Sequence, residues 1–143
     1  IDGLATAALT PESPGITIVE TPCTRAGGVT AFRELWELDE RPTAMVAFSD
    51  IIAFGILDAA REAGVDIPRE LSVSGFDDLT EASWTTPSLT TIRQPIATKG
   101  RLAAEYLVEA ITATHVPDSP HQQRLATALL LRGSTGPSRD ESD

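Results

Sequence analysis

Leu71-Ser72-Val73-Ser74-Gly75-Phe76-Asp77-Asp78 reads as a buried strand that runs out into an aromatic and two adjacent carboxylates. Thr86-Pro87-Ser88-Leu89-Thr90-Thr91-Ile92-Arg93-Gln94-Pro95 follows at once as a turn and a second strand. Open α/β sheets hold ligands at the carboxyl ends of their strands, so polar groups placed there are the first candidates for a site. An Asp-Asp pair accepts several hydrogen bonds and suits a hydroxyl-rich ligand. The competing role is a turn, where Asp is favoured because its side chain bonds its own backbone. Asp77 is read as the ligand group and Asp78 as the turn residue.

Working upstream, Ala44 to Phe48 is a continuous apolar strand, and Ser49-Asp50 opens a helix with Ile52, Ala53, Ile56, Ala59, Ala60 and Ala63 on one face. Gly64 supplies the left-handed residue that ends it. Earlier still, Ile16 to Glu20 is a short β-branched run predicted as a strand. Thr24 caps a helix carrying Val29, Phe32, Leu35 and Trp36 at helical spacing, and Pro42 lies past its end. Downstream of the Leu89 to Arg93 strand, Ile96, Gly100, Ala103, Leu107, Ala110 and Ile111 recur at intervals of three and four, marking a third helix. A loop with His115, Pro117, Pro120 and His121 leads to a last apolar strand, Ala126 to Leu131. From Gly136 onward the chain is polar and is expected to be a disordered tail over 136–143.

Unbroken apolar strands alternating with helices define an α/β fold, a parallel open sheet with helices on both faces. Right-handed crossovers then bring Thr21 to Thr24, Ser49 with Asp50, and Phe76 with Asp77 to one edge, where they line a common crevice.

The chain has 143 residues, enough for one domain with a real core. Eleven basic against twenty-one acidic residues give a net charge of −10. That balance disfavours direct nucleic-acid or membrane-surface binding, because phosphate contacts need a basic face. Cys23 is alone, which excludes an internal disulfide and fits a reducing, cytoplasmic setting. Neither a membrane span nor a signal-peptide pattern is visible, and the opening on Ile1-Asp2-Gly3 reads as a piece of a longer protein.

Catalytic chemistry finds little support. Both histidines lie in the Pro-containing loop, away from the crevice, and neither has an evident serine and carboxylate partner. No Cys/His pair has metal-ligand spacing, no phosphate-binding loop is present, and no cofactor is expected. Ser49 with Asp50 admits two roles, a helix cap with a dipole-complementing carboxylate or a ligand contact, and both can hold together. Gly27-Gly28 would let a ligand approach the backbone at a helix start. Gly55 implies close packing, most simply of its helix on a strand. Trp84 serves either as a lid on the core or as an anchor in a subunit interface.

Several motifs recur together and in order. They are Pro42-Thr43-Ala44-Met45-Val46-Ala47-Phe48-Ser49-Asp50, the helix through Gly55 to Gly64, and Ile67-Pro68 leading to Leu71-Ser72-Val73 and Gly75-Phe76-Asp77-Asp78. Thr86-Pro87, Leu89 to Pro95 and Arg132-Gly133-Ser134-Thr135 complete them. From about Gly3 to Thr135 the chain resembles the effector-binding region of LacI/GalR-type transcriptional regulators.

The resemblance implies one lobe of a periplasmic-binding-protein-like fold, mainly the carboxyl-terminal lobe over 1–135, with helix 96–112 returned to the other lobe. It also implies a sugar or nucleoside-like effector, a homodimer, and operator DNA bound through an amino-terminal helix-turn-helix domain outside this sequence. By position, Asp77 is the carboxylate that holds ligand hydroxyls, and Ser49, Asp50, Cys23 and Gln94 join it in the ligand site. Cys23 and Ile96 stand where members carry aromatics, Cys23 at the place of one that stacks on a sugar ring. Glu81, Ala82, Trp84 and Thr85 fall in a stretch used for dimerisation. The alternative is the solute-binding protein of a sugar transporter, which shares the two-lobe fold. A signal peptide ahead of Ile1 would favour it, and a helix-turn-helix would favour the regulator.

Overall fold

A computed structural model describes residues 13, 15–113 and 122–137 of the chain. The elements run in the order α1 (Arg25–Trp36), β1 (Ala44–Val46), α2 (Asp50–Glu62), β2 (Ser72–Ser74), a 3-10 turn (Thr80–Ser83), β3 (Thr91–Arg93), α3 (Ile96–Thr112) and β4 (Ala128–Leu130). The loop with both histidines and residues 138–143 lie outside the described residues.

β1 and β2 pair in parallel, with Met45 opposite Val73. Parallel bridges from Ser74 to Thr90 and from Asp77 to Arg93 extend that order to β3, and β4 closes it antiparallel. Ser134 stitches the start of the array. Its hydroxyl accepts from the Thr90 N–H at 2.8 Å and donates to the Val73 carbonyl at 2.6 Å, while its own carbonyl takes the Val73 N–H. The parallel order expected from the unbroken apolar strands is therefore present over β1 to β3, whereas the last strand departs from it by pairing antiparallel.

The core lies between β1–β2 and the helices α1 and α2. Phe32, Met45, Ala53, Leu57, Leu71, Val73 and Leu89 are buried in it, and Val29, Leu35 and Trp36 pack on its margin. Thr24 caps α1 by accepting from the Gly27 N–H at 3.0 Å, and Ser49 caps α2 by accepting from the Ile51 N–H at 3.3 Å. Gly64 ends α2 with φ at 72°, as its position after the helical stripe predicts.

Gly55 serves a helix–helix contact, not the helix–strand contact expected for it. A Cβ on Gly55 would collide with the Arg25 carbonyl, one on Gly28 would collide with the Ile52 carbonyl, and the latter would stand 3.0 Å from the Gly55 Cα. The two backbones touch because neither residue has a side chain.

Ile16 to Glu20 forms no ladder and Ile18 is exposed, so no strand stands where one was predicted. β-branched composition favours a strand, but a strand also needs a hydrogen-bonding neighbour. Ala44 and Val46 likewise face away from the core, leaving that side of β1 open among the described residues. The stripe of α3 is uncovered too. Ile96, Leu107 and Ile111 are exposed, no α3 residue is buried, and Leu102 and Tyr106 are the half-buried positions. At the far end, the Gly136 N–H donates to the Ser72 hydroxyl at 3.2 Å, so the polar tail begins on the sheet.

Candidate functional site

Three strand ends meet at one edge, and Asp50 binds them together. Its N–H donates to the Phe76 carbonyl at 2.8 Å, joining the end of β1 to the end of β2. Its carboxylate accepts from the Thr91 hydroxyl at 2.5 Å and from the Leu79 N–H at 2.7 Å, reaching β3 and the loop beyond β2. The side chain has no exposure. Gly75 leaves the room this requires, because a Cβ there would collide with the same carboxylate. Asp50, expected among the ligand contacts, is enclosed with both oxygens engaged by the protein. The structure makes it a strut of the crevice.

Asp77 sits on the solvent side of that strut and is half-buried. Its N–H bonds the Ile92 carbonyl at 2.9 Å, and its carboxylate accepts from Gln94 Nε2 at 2.6 Å. Two of the five ligand-site residues read from sequence are thus in direct contact, and Gln94 in turn accepts from Lys99 at 3.2 Å. Asp77 and Asp78 have φ values of 122° and 58°, two successive non-glycine residues with positive φ. Such conformations are costly and cluster at functional sites.

Asp78 supplies the restraint. Its carboxylate accepts from Arg93 Nε and from Arg132 Nη2, each at 2.6 Å, and Arg132 also donates to the Leu89 carbonyl at 2.8 Å. Burial pushes the Asp78 carboxyl up, but the hydrogen bonds and charges of Arg132 and Arg93 outweigh it and hold the group below its ordinary value. The structural role assigned to Asp78 thus takes the form of an ion-paired clasp, in which Arg132 had no sequence-level role. A partner 54 residues away leaves no local signal.

Two more of the expected site residues, Cys23 and Ser49, precede α1 and α2. Cys23 is exposed just ahead of the Thr24 cap, whereas Ser49 is almost wholly buried as the α2 cap. Phe48, between the buried Ala47 and Ser49, is 82% exposed, and motif reading had assigned it no role. Ile96, past Gln94, is also exposed. Among the residues expected at a subunit contact, Glu81 and Trp84 are exposed and Thr85 is half-buried, with Trp84 at 72%. Ala82 is fully buried in the core, where its side chain packs within the chain and is not available to a partner.

A groove of about 380 Å³ lies elsewhere, over the open side of β1 and β2, between Thr43, Ser72, Pro68 and Thr135. It gathers none of the convergent carboxylates. Among the described residues, no group of three His, Cys, Asp or Glu side chains could hold a metal, and no helix is long and apolar enough to cross a membrane.

A family model for the periplasmic binding protein-like domain matches residues 5–135. The chain belongs to that family. The curated relatives of this family member include the HTH-type transcriptional regulator MalR of Streptomyces coelicolor, 42% identical over 93 residues, which are 65% of this chain and 26% of the relative. Another is the ribose operon repressor of Haemophilus influenzae, 42% identical over 94 residues, 66% of this chain and 28% of that protein. Each match thus spans little more than a quarter of the relative's length. Among solved structures, a LacI family regulator from Enterococcus faecium with bound ribose aligns at a TM-score of 0.78 and 29% identity, over 96% of this chain and 49% of that one. A CelR–cellobiose complex aligns at 0.79 and 30% identity, over 93% and 39%. The resemblance to LacI-type effector-binding regions, carried by the ordered motifs, is what these matches show.

Proposed function

We propose that the chain is the carboxyl-terminal part of the effector-binding region of a LacI-type transcriptional regulator, acting in the cytoplasm and sensing a sugar or related small molecule. The observation that carries this is Asp77. It is a half-buried carboxylate at positive φ, clasped from behind through Asp78 and bonded to Gln94, on an edge where three strand ends meet. A carboxylate so placed accepts hydroxyl hydrogen bonds in a fixed direction, strengthened by its charge.

Effector would bind one arrangement of the two lobes better than the other, and the dimer geometry that sets the DNA-binding domains would follow by population shift. Operator DNA would be met by a separate basic domain, since a chain of net charge −10 is a poor phosphate ligand. Exposed Trp84, with Glu81 and Thr85, would lie at the contact between two copies. Ser49 and Cys23 would border the ligand, and Asp50 would hold the wall behind it. A transporter component shares the fold, but every relative named above is a regulator.

Calorimetric titration of the complete regulator with a panel of sugars and nucleosides tests this. At least one should bind, and Asp77→Ala should lose that binding while unfolding at the wild-type temperature. Unchanged affinity in the variant would remove Asp77 from the site.

A further inference from the structure

Lys99 is the only lysine of the chain, and it stands in the first turn of α3. Arg93 and Arg132, the arginines of the site edge, end on the Asp78 carboxylate at 2.6 Å. The Lys99 ammonium instead donates to an amide oxygen, Gln94 Oε1, at 3.2 Å. The nitrogen of that amide donates to Asp77 Oδ1 at 2.6 Å. A cation and an anion thus hold the two ends of one side-chain amide. Their backbones are fixed as well. The Asp77 N–H bonds the Ile92 carbonyl, the Ile96 N–H bonds the Gln94 carbonyl, and the Lys99 N–H bonds the Pro95 carbonyl, each at 2.9 Å.

A neutral amide has a donor end and an acceptor end, and a half-turn exchanges them. Here the half-turn is opposed twice, because it would set oxygen against the Asp77 carboxylate and the NH2 group against the Lys99 ammonium. Asp77 alone would orient the amide, but a glutamine tied at one end gives way to a ligand's hydroxyls. The second tie, to Lys99, keeps Gln94 in place and polarises its N–H bonds, which strengthens them as donors. Two groups then remain for a ligand. Asp77 keeps its second carboxylate oxygen as an acceptor, and Gln94 keeps the second hydrogen of Nε2 as a donor. They belong to groups 2.6 Å apart, close enough to meet two adjacent hydroxyls of one molecule, one donating and the other accepting.

We propose that Lys99 is a positioning residue of the effector site. It locks the Gln94 amide with its nitrogen toward Asp77, so that the pair presents one acceptor and one donor to adjacent hydroxyls of the effector. The proposal rests on the effector-binding reading above and goes beyond it by assigning Lys99, which acts on the effector through Gln94 alone. Its contribution is pre-organisation, since the amide need not be ordered when the effector arrives.

The test is calorimetric titration of the complete regulator with ribose, cellobiose and adenosine, all of which carry adjacent hydroxyls. It compares wild type with Lys99→Met, Lys99→Arg, Gln94→Ala and the double variant Lys99→Met/Gln94→Ala. For whichever compound binds, Lys99→Met should weaken affinity about fivefold, the scale of one hydrogen bond. Lys99→Arg should bind within about twofold of wild type, because it keeps a charged donor. The double variant should bind as Gln94→Ala does, since a residue that acts through the amide has no effect once the amide is gone. Wild-type affinity in Lys99→Met, or a Lys99→Arg as weak as Lys99→Met, would overturn the lock. So would a double variant weaker than Gln94→Ala, which would put Lys99 on another route to the effector. If Asp77→Ala loses binding while Lys99→Met does not, the effector-binding reading stands and the lock alone is wrong. Binding of none of the three by the wild type would overturn the assignment to adjacent hydroxyls and this proposal with it.

Discussion

Asp50 and Asp77 stand at the ends of neighbouring strands, joined through the bond from the Asp50 N–H to the Phe76 carbonyl. Around Asp50 the region is sealed, and its carboxylate is divided between the Thr91 hydroxyl and the Leu79 N–H. Around Asp77 it is half open, with positive backbone φ and Gln94 as the polar partner. One region spends its charge on holding loops together, and the other turns its charge toward solvent. A crevice that must present a carboxylate in a fixed direction needs both, because the strained presenting residue persists only where its surroundings over-determine it.

The sharpest way to break this division is Asp50→Ala. It leaves the part-buried Leu79 N–H and the buried Thr91 hydroxyl without their acceptor, and hydrogen bonds to charged groups contribute about 1.5–3 kcal/mol each. A loss of about 3–5 kcal/mol in urea unfolding is expected, and a loss below about 1 kcal/mol would show that Asp50 is not the strut. A smaller effect is expected at the clasp. The Asp78 carboxyl is lowered in the folded state, so its contribution is complete above the unfolded carboxylate value of about 3.9 and disappears as pH falls below it, through the folded value. Asp78→Asn should therefore lower the urea midpoint at pH 6 and lose less than wild type between pH 6 and pH 3. Parallel losses in the two proteins would remove Asp78 from the acid dependence. The smallest effect belongs to Asp77→Gly, which accepts positive φ without strain. Its stability should be unchanged or raised by about 1 kcal/mol. A loss above that figure would mean that Asp77, too, supports the fold.

Local patterns read well where one residue decides the outcome. Thr24 and Ser49 cap their helices, Gly64 ends α2, and the third helix runs over Ile96–Thr112 as its spacing indicated. They fail where the deciding partner is remote. Ser49-Asp50 looks the same in sequence whether Asp50 meets a ligand or a loop, and Thr91, 41 residues away, decides the matter. Gly55 announces close packing but not its neighbour, which proved to be the α1 backbone at Gly28. Ile16 to Glu20 has strand composition without a paired neighbour. The α3 stripe predicts a helix correctly and says nothing of what covers it. Phe48, in turn, passes for one more apolar residue of a strand, although its side chain is exposed.

The meeting of Gly28 with Gly55 has a mechanical consequence. Two helices whose backbones touch have no flexible side chains between them to absorb a displacement, and packed elements of this kind shift between discrete arrangements more readily than they bend. The helix starts that carry Cys23 and Phe48 are thus coupled as one stiff plate. A displacement at the start of either helix would tilt α1 and α2 together, because the shortest link between them is a pair of hydrogen atoms where side chains would have been.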